Sequence, residues 1–342
     1  MSKTLKTLCL GSLGGAIATL FSLPLAWMLG ALFLVMSASI AGVRTGVDKR
    51  VHVVAIALLG LFIGSRIQAQ ELLGLVRWYP SVIAMLLYMV MMLAGGYWIF
   101  TQAKVGRISA MFCAYPGSMN SALVLAEPAR GDLRWIAISH SLRLVTVVSG
   151  AALLASLFVD EVTLESDTHW LALSDIAALM LAPLCWWVLR RCRAPLPEFL
   201  GPMVAGAIMT NAGVGFSLPA WPVLLAFMIL GSSVGARFSG TPWRQVLSVG
   251  RFGIAYALFA LAAAMLMAWL VASFTSLGFT AVLLALIPGG VGEMAVIATV
   301  MGIDPVYVVS HHVLRLLILI FMTPWMVRLA SSLGAPETPP PP

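Results

Sequence analysis

The stretch Pro288-Gly289-Gly290-Val291-Gly292-Glu293-Met294 interrupts an otherwise apolar segment running from Phe279 to Val300. Proline has no amide to donate and glycine favours no single backbone conformation, so a helix is expected to break here. In lipid, a break is tolerated only where protein or a water-filled cavity satisfies the freed backbone groups. A carboxylate, Glu293, follows at once. A charge beside a broken membrane helix is the pattern of a transporter binding site. A kink held by a structural ion pair is the plainer reading of the same residues.

The composition sets the class. The chain has 342 residues, 61% of them hydrophobic and only 10% charged, with a mean hydropathy of +1.00. Apolar runs recur from end to end, which implies an all-α polytopic membrane protein of about 10–12 membrane segments. The net charge of +7 comes from Lys and Arg in short loops between spans. Cytoplasmic loops collect such residues, so no direct contact with nucleic acid is implied. Cys9, Cys113, Cys185 and Cys192 lie singly, without the spacing of a disulfide framework or a zinc site.

The halves of the chain repeat. Gly60 to Arg66 (GLFIGSR) matches Gly231 to Arg237 (GSSVGAR), Pro116-Gly117 matches Pro288-Gly289, and Asp132 matches Asp304. His140-Ser-Leu-Arg143 matches His312-Val-Leu-Arg315, and every pair is 171 or 172 residues apart. The duplication divides the chain into a first membrane repeat, 7–159, and a second, 171–328, with a proline-rich tail, 334–342, expected to be disordered. The first repeat has its own interruption at Tyr115-Pro116-Gly117-Ser118-Met119-Asn120. If both broken segments cross the membrane, the loop Lys and Arg divide nearly evenly between the faces. If both are re-entrant, these residues gather on the cytoplasmic side and the acidic 160–170 stretch falls outside. The positive-inside rule favours the second arrangement. Five crossings and one hairpin per repeat then give two inverted-topology repeats.

Three charged residues are read as lying deep in spans: Arg143, Glu293 and Arg315. Such charges should face a partner or water, and Glu293 is the expected partner of Arg315. A spacing of three puts His140 with Arg143, and His312 with Arg315, on one helix face. Imidazoles there could relay protons to a carboxylate. Glycines 117, 289 and 290 loosen the breaks. Asn120 and Ser121 stand in the first repeat where Gly292 and Glu293 stand in the second. These residues (Glu293, Arg315, His312, Arg143, His140, Asn120, Ser121, Gly289, Gly290 and Gly117) are the candidate solute- or ion-binding set. His311 and His312 with Glu293 lack further ligands at metal spacing, so neither a metal nor a cofactor is expected.

Pro24-Leu-Ala-Trp-Met-Leu-Gly30, the PGGVGEM stretch and Ser310-His-His-Val-Leu-Arg315 resemble the AbrB-type family of bacterial membrane proteins over residues 8 to 330. Names used in that family include an ammonia monooxygenase and a membrane regulator. A monooxygenase needs a metal or flavin site and a direct transcription factor needs a DNA-reading module; the residues supply neither. The family's resemblance to cation/proton antiporters and anion transporters implies, by analogy, a secondary transporter in the bacterial inner membrane with both termini cytoplasmic. The implied solute is small, anionic or polar, and coupled to a proton or cation. The alternatives are a membrane-embedded regulator acting through a partner and, more weakly, a membrane enzyme. Expected partners are the bilayer, the solute or ion and, as a homodimer, a second copy of the chain. The inverted arrangement predicts that positions beside Arg77 and Arg251 label from opposite faces of intact cells, Arg251 from the cytoplasm. Labelling of both from one side would remove it.

Overall fold

The structure is a computed structural model in which residues 2–68, 77–158, 173–214 and 218–332 are described. The acidic 160–170 stretch and the 334–342 tail lie outside the described residues. Within these limits the chain forms fourteen α-helices and no strand. The first repeat contains α1 (Lys3–Leu20), α2 (Ala26–Ile40), α3 (Lys49–Gly64), α4 (Tyr79–Gln102), α5 (Arg107–Cys113), α6 (Met119–Ala126) and α7 (Leu133–Phe158). The second contains α8 (Leu173–Arg191), α9 (Pro197–Asn211), α10 (Ala220–Gly235), α11 (Trp243–Phe274), α12 (Phe279–Leu286), α13 (Val291–Val300) and α14 (Pro305–Ser332). Among the described residues, five helices are long and apolar enough to cross a membrane: α4, α7, α10 with its 3-10 extension, α11 and α14.

Helix ends depart from the ends of the apolar runs. Helix α11 starts at Trp243, nine residues before the apolar run at Phe252, because the turns that carry the exposed Arg244 and Arg251 can stay helical outside lipid. The broken stretches are also shorter than their sequences imply. Only Ile287 to Gly290 is unwound in the second repeat, and Gly292 and Glu293 already belong to α13. An acidic side chain in a first turn suits the positive end of the helix dipole, so α13 can begin directly after its glycine cap.

The chain divides into two compact units, and each draws on both repeats. The first comprises residues 1–78, 149–241 and 290–310. In it, α1 packs on α2, α2 on α10, and α3 on α9. Gly60 and Gly64 bring α3 against the backbone of Phe199 and Met203 on α9, while Gly231 and Gly235 bring α10 against the backbone of Met28 and Leu32 on α2. Each of those residues is 171 positions from its counterpart. The third helix of one repeat therefore grips the second helix of the other, reciprocally, as a twofold relation requires. Small residues at such contacts allow the close backbone approach that membrane helices use. The repeat extends to strained backbone. Ser22 and Arg193, and likewise Leu25 and Leu196, are non-glycine residues in the left-handed region with φ of 47° to 55°.

The second unit comprises residues 79–148, 242–289 and 311–342. Helix α4 packs on α5 and α11, and α11 on α12. Tyr88 donates from its hydroxyl to the carbonyl of Ala260 at 3.0 Å, 172 residues away. That spacing is the repeat itself, so Tyr88 touches its own counterpart and marks where the twofold axis of this unit passes.

The paired Asp132 and Asp304 cap α7 and α14. Asp132 accepts from the amides of Arg134 and Trp135, and Asp304 from that of Val306 at 2.7 Å. Burial raises the Asp304 carboxyl above its ordinary 3.8, with the amides of Val306 and Tyr307 pulling the other way. The folded state then holds this proton more tightly than the unfolded one, so the group's contribution to stability is present at low pH. It is lost as pH rises from 3.8 through the folded value. Asp304→Asn keeps a cap acceptor and removes the charge. It is expected to melt higher than the parent protein at pH 7, with the difference vanishing below pH ~4, near the ordinary carboxylate value. A lower melting temperature at pH 7 would show that the cap outweighs the burial.

Candidate functional site

The two breaks are held by one device used twice. Helix α5 ends at Cys113. Ala114 and Tyr115 still donate their amides back to Ala110 and Phe112, but Pro116 has no amide to give, and the carbonyls of the break turn to side chains. On α7, Arg143 donates to the carbonyls of Tyr115 and Gly117, both at 2.8 Å. His140 bonds the carbonyl of Phe112 through Nε2 at 3.0 Å, and Arg143 donates to its Nδ1 at 3.3 Å. The second repeat reproduces the set position by position. His312 on α14 bonds the carbonyl of Leu284 at 3.0 Å. Arg315 donates to Leu286, Ile287 and Gly289 at 3.5, 3.2 and 3.3 Å, and to Nδ1 of His312 at 3.3 Å.

All four side chains are buried, with Arg143 only 5% exposed and Arg315 6%. A guanidinium at a helix C-terminus meets the negative end of the helix dipole as well as the carbonyls themselves. The two arginines also act electrostatically on each other and on Tyr88. The Nε of each is buried without a described hydrogen-bond partner.

The expected roles shift accordingly. An arginine has only N–H donors, so Nδ1 of His140 and of His312 must accept, leaving the proton on Nε2 to be donated to the carbonyl. Both imidazoles are thus held as the neutral tautomer, an arrangement suited to positioning an arginine rather than relaying protons. Gly117 and Gly289 take part through their carbonyls. Tyr115 packs where a Cβ on Gly117 would sit. Neighbouring His311 pairs with Ser81 at 2.8 Å instead. Asn120 and Ser121 are exposed in the first turn of α6, where Ser121 donates its amide to the Ser118 cap at 3.1 Å.

Glu293 and Gly290 belong to the first unit. Glu293 folds its carboxylate back over Gly290, occupying the space that a Cβ there would need. It is half-buried, and together with Arg237 it acts electrostatically on His52 of α3. The Nδ1 of His52 is buried without a described partner. The described partners of Arg315 all lie in the second unit, so the Glu293–Arg315 pair stays an expectation. His52 was missed because a single histidine near the start of a short span belongs to no motif. Asp175 was also missed: it is a fully buried carboxylate in the first turn of α8, so Glu293 is not alone among acidic residues in apolar segments.

No group of three or more His, Cys, Asp or Glu side chains suited to a metal occurs among the described residues. A family model described as "Transition state regulatory protein AbrB" matches residues 27–331. A protein of Escherichia coli (strain K12) named "Putative regulator AbrB" is 26% identical over 91% of this chain and 91% of its own length. The Bacillus subtilis (strain 168) "Uncharacterized protein YhjN" is 23% identical over 96% of this chain and 93% of its own.

The clamp geometry makes a direct prediction. Lysine cannot reproduce the planar fork that spans two carbonyls. Arg143→Lys and Arg315→Lys should each leave a buried acceptor unpaired, at a cost of about 1–3 kcal/mol. Both variants should insert but melt earlier in detergent. Unchanged melting with selective loss of ligand binding would mean that the arginines serve a solute instead.

Proposed function

The chain belongs to the AbrB family, and on that footing we propose that this membrane protein is a secondary transporter of a small anionic or polar solute coupled to a proton or cation. The observation that carries the proposal is the pair of broken helices, each with its carbonyl end held by a buried His-x-x-Arg pair. Helices broken inside a membrane protein are where secondary transporters build their solute and ion sites. Arg143 and Arg315 make the interior of the second unit favourable to a negatively charged guest. Glu293, in the first turn of α13 and in electrostatic reach of His52, is the candidate coupling group. We place the protein in the bacterial inner membrane with both termini cytoplasmic, as a carrier rather than an enzyme. The names of the family and of its Escherichia coli relative favour a second reading, a membrane regulator that works through a partner protein.

Purified protein in liposomes, layered on a solid-supported membrane and challenged with acetate, lactate, succinate, glutamate, sodium and proton jumps, separates these readings. A transport current for at least one solute is expected. Folded protein that gives no current until a second protein is added would favour the regulator. Glu293→Gln keeps the shape and deletes the charge. It should fold normally and bind solute, but lose the pH or cation dependence of that binding. Unchanged ion dependence would remove Glu293 from coupling, and misfolding would make it structural.

A further inference from the structure

The two clamps differ at one point, and the difference follows a small set of side chains. In the first repeat the carbonyl of Ala114, at the end of α5, accepts from the Tyr256 hydroxyl at 2.8 Å. Arg143 lies within hydrogen-bonding reach of the same hydroxyl. The corresponding carbonyl in the second repeat is that of Leu286, which accepts a 3.5 Å contact from Arg315. Residue 84, the counterpart of Tyr256, is an alanine.

The surroundings of Tyr256 are built for it. Its ring occupies the space that a Cβ on Gly96 would need and packs edge-on against Phe100, with centroids 5.4 Å apart. The counterparts of Gly96 and Phe100 are Ala268 and Ala272. The second repeat therefore lacks the tyrosine, the glycine that makes room for it and the ring that supports it. The arginine bonds show the same asymmetry. They are 2.8 Å each in the first clamp and 3.2 to 3.5 Å, spread over three carbonyls, in the second.

We propose that Tyr256 is a positioning residue that locks the first helix break, and that the second break, built without a counterpart, is the one that moves. Four carbonyls at the first break are held by three side chains through short bonds. Four at the second are held by two side chains, one of them shared three ways. The loop after α12 also carries two glycines in sequence, Gly289 and Gly290, where the first has Gly117 followed by the capping Ser118. Conformational change during transport then concentrates at Ile287 to Gly290. That last step rests on the transporter reading; the difference in rigidity does not.

Hydrogen–deuterium exchange of the full chain in nanodiscs tests this directly. Protection corrected for intrinsic rates should be about tenfold lower for peptides over 284–291 than over 112–119, as local stabilities within one protein commonly allow. Tyr256→Phe keeps the ring against Gly96 and Phe100 and removes only the hydroxyl. It should raise exchange over 112–119 about fivefold, the size of one net hydrogen bond, and leave 284–291 unchanged. Gly96→Ala, which pushes the ring away, should act in the same direction. Equal protection of the two breaks in the parent protein, or no change over 112–119 in either variant, overturns the proposal. A missing transport current beside the expected exchange difference would count against the transporter reading alone.

Discussion

A carbonyl at the end of a half-helix inside lipid must find a donor, and the rest of this structure follows from how that is done. Water is not available to do it, and each unpaired acceptor costs about 1–3 kcal/mol. Past the ends of α5 and α12 the following amides reach only some of the carbonyls, because Pro116 and Pro288 have none to give. The donors have to come from a neighbouring helix, and one side chain must serve several carbonyls. Arginine fits this need because its fork is planar and carries several N–H groups. The histidine one turn earlier braces it and caps one more carbonyl. Each buried positive charge is thereby partly offset by the helix end it faces.

The duplication makes the arrangement possible twice over. The glycine contacts of α3 with α9 and of α10 with α2, the left-handed leucines at 25 and 196, and the self-contact of Tyr88 with Ala260 all repeat the register of the sequence. A left-handed leucine is strained by about 1–2 kcal/mol. Two such residues at equivalent positions show that the strain is a property of the repeated turn, imposed in each case between a proline and a helix start.

Much of this could be read from the residues. The breaks at Pro116 and Pro288 and the His-x-x-Arg pairs were legible because proline, glycine, charge and spacing are visible in a sequence. The partners of the arginines were not. A backbone carbonyl has no letter of its own, so the visible carboxylate Glu293 drew the pairing instead. Tyr256 and Gly96 were invisible for a related reason. An aromatic and a glycine 160 residues apart carry meaning only once α4 and α11 are packed together. The start of α13 was placed too late because glycine at 292 looked like a breaker, whereas a single glycine inside a helix costs only about 1 kcal/mol.

The protonation state of the two histidines fixes the charge of each clamp. A second proton on either imidazole would place an N–H against the arginine N–H it now accepts from, and a cation beside a cation. Each clamp therefore carries one positive charge and no more. The helix end it faces supplies roughly half a negative charge, which leaves about one net positive charge over the two clamps together. In an interior of low dielectric that residue of charge is felt strongly, and it repels cations more than it would in water. A cation that couples transport would then bind away from the clamps, beside a carboxylate such as Glu293. An anionic solute would favour the second unit itself. If the protein is the carrier proposed above, holding its broken helices with arginine keeps the cation site away from the clamps.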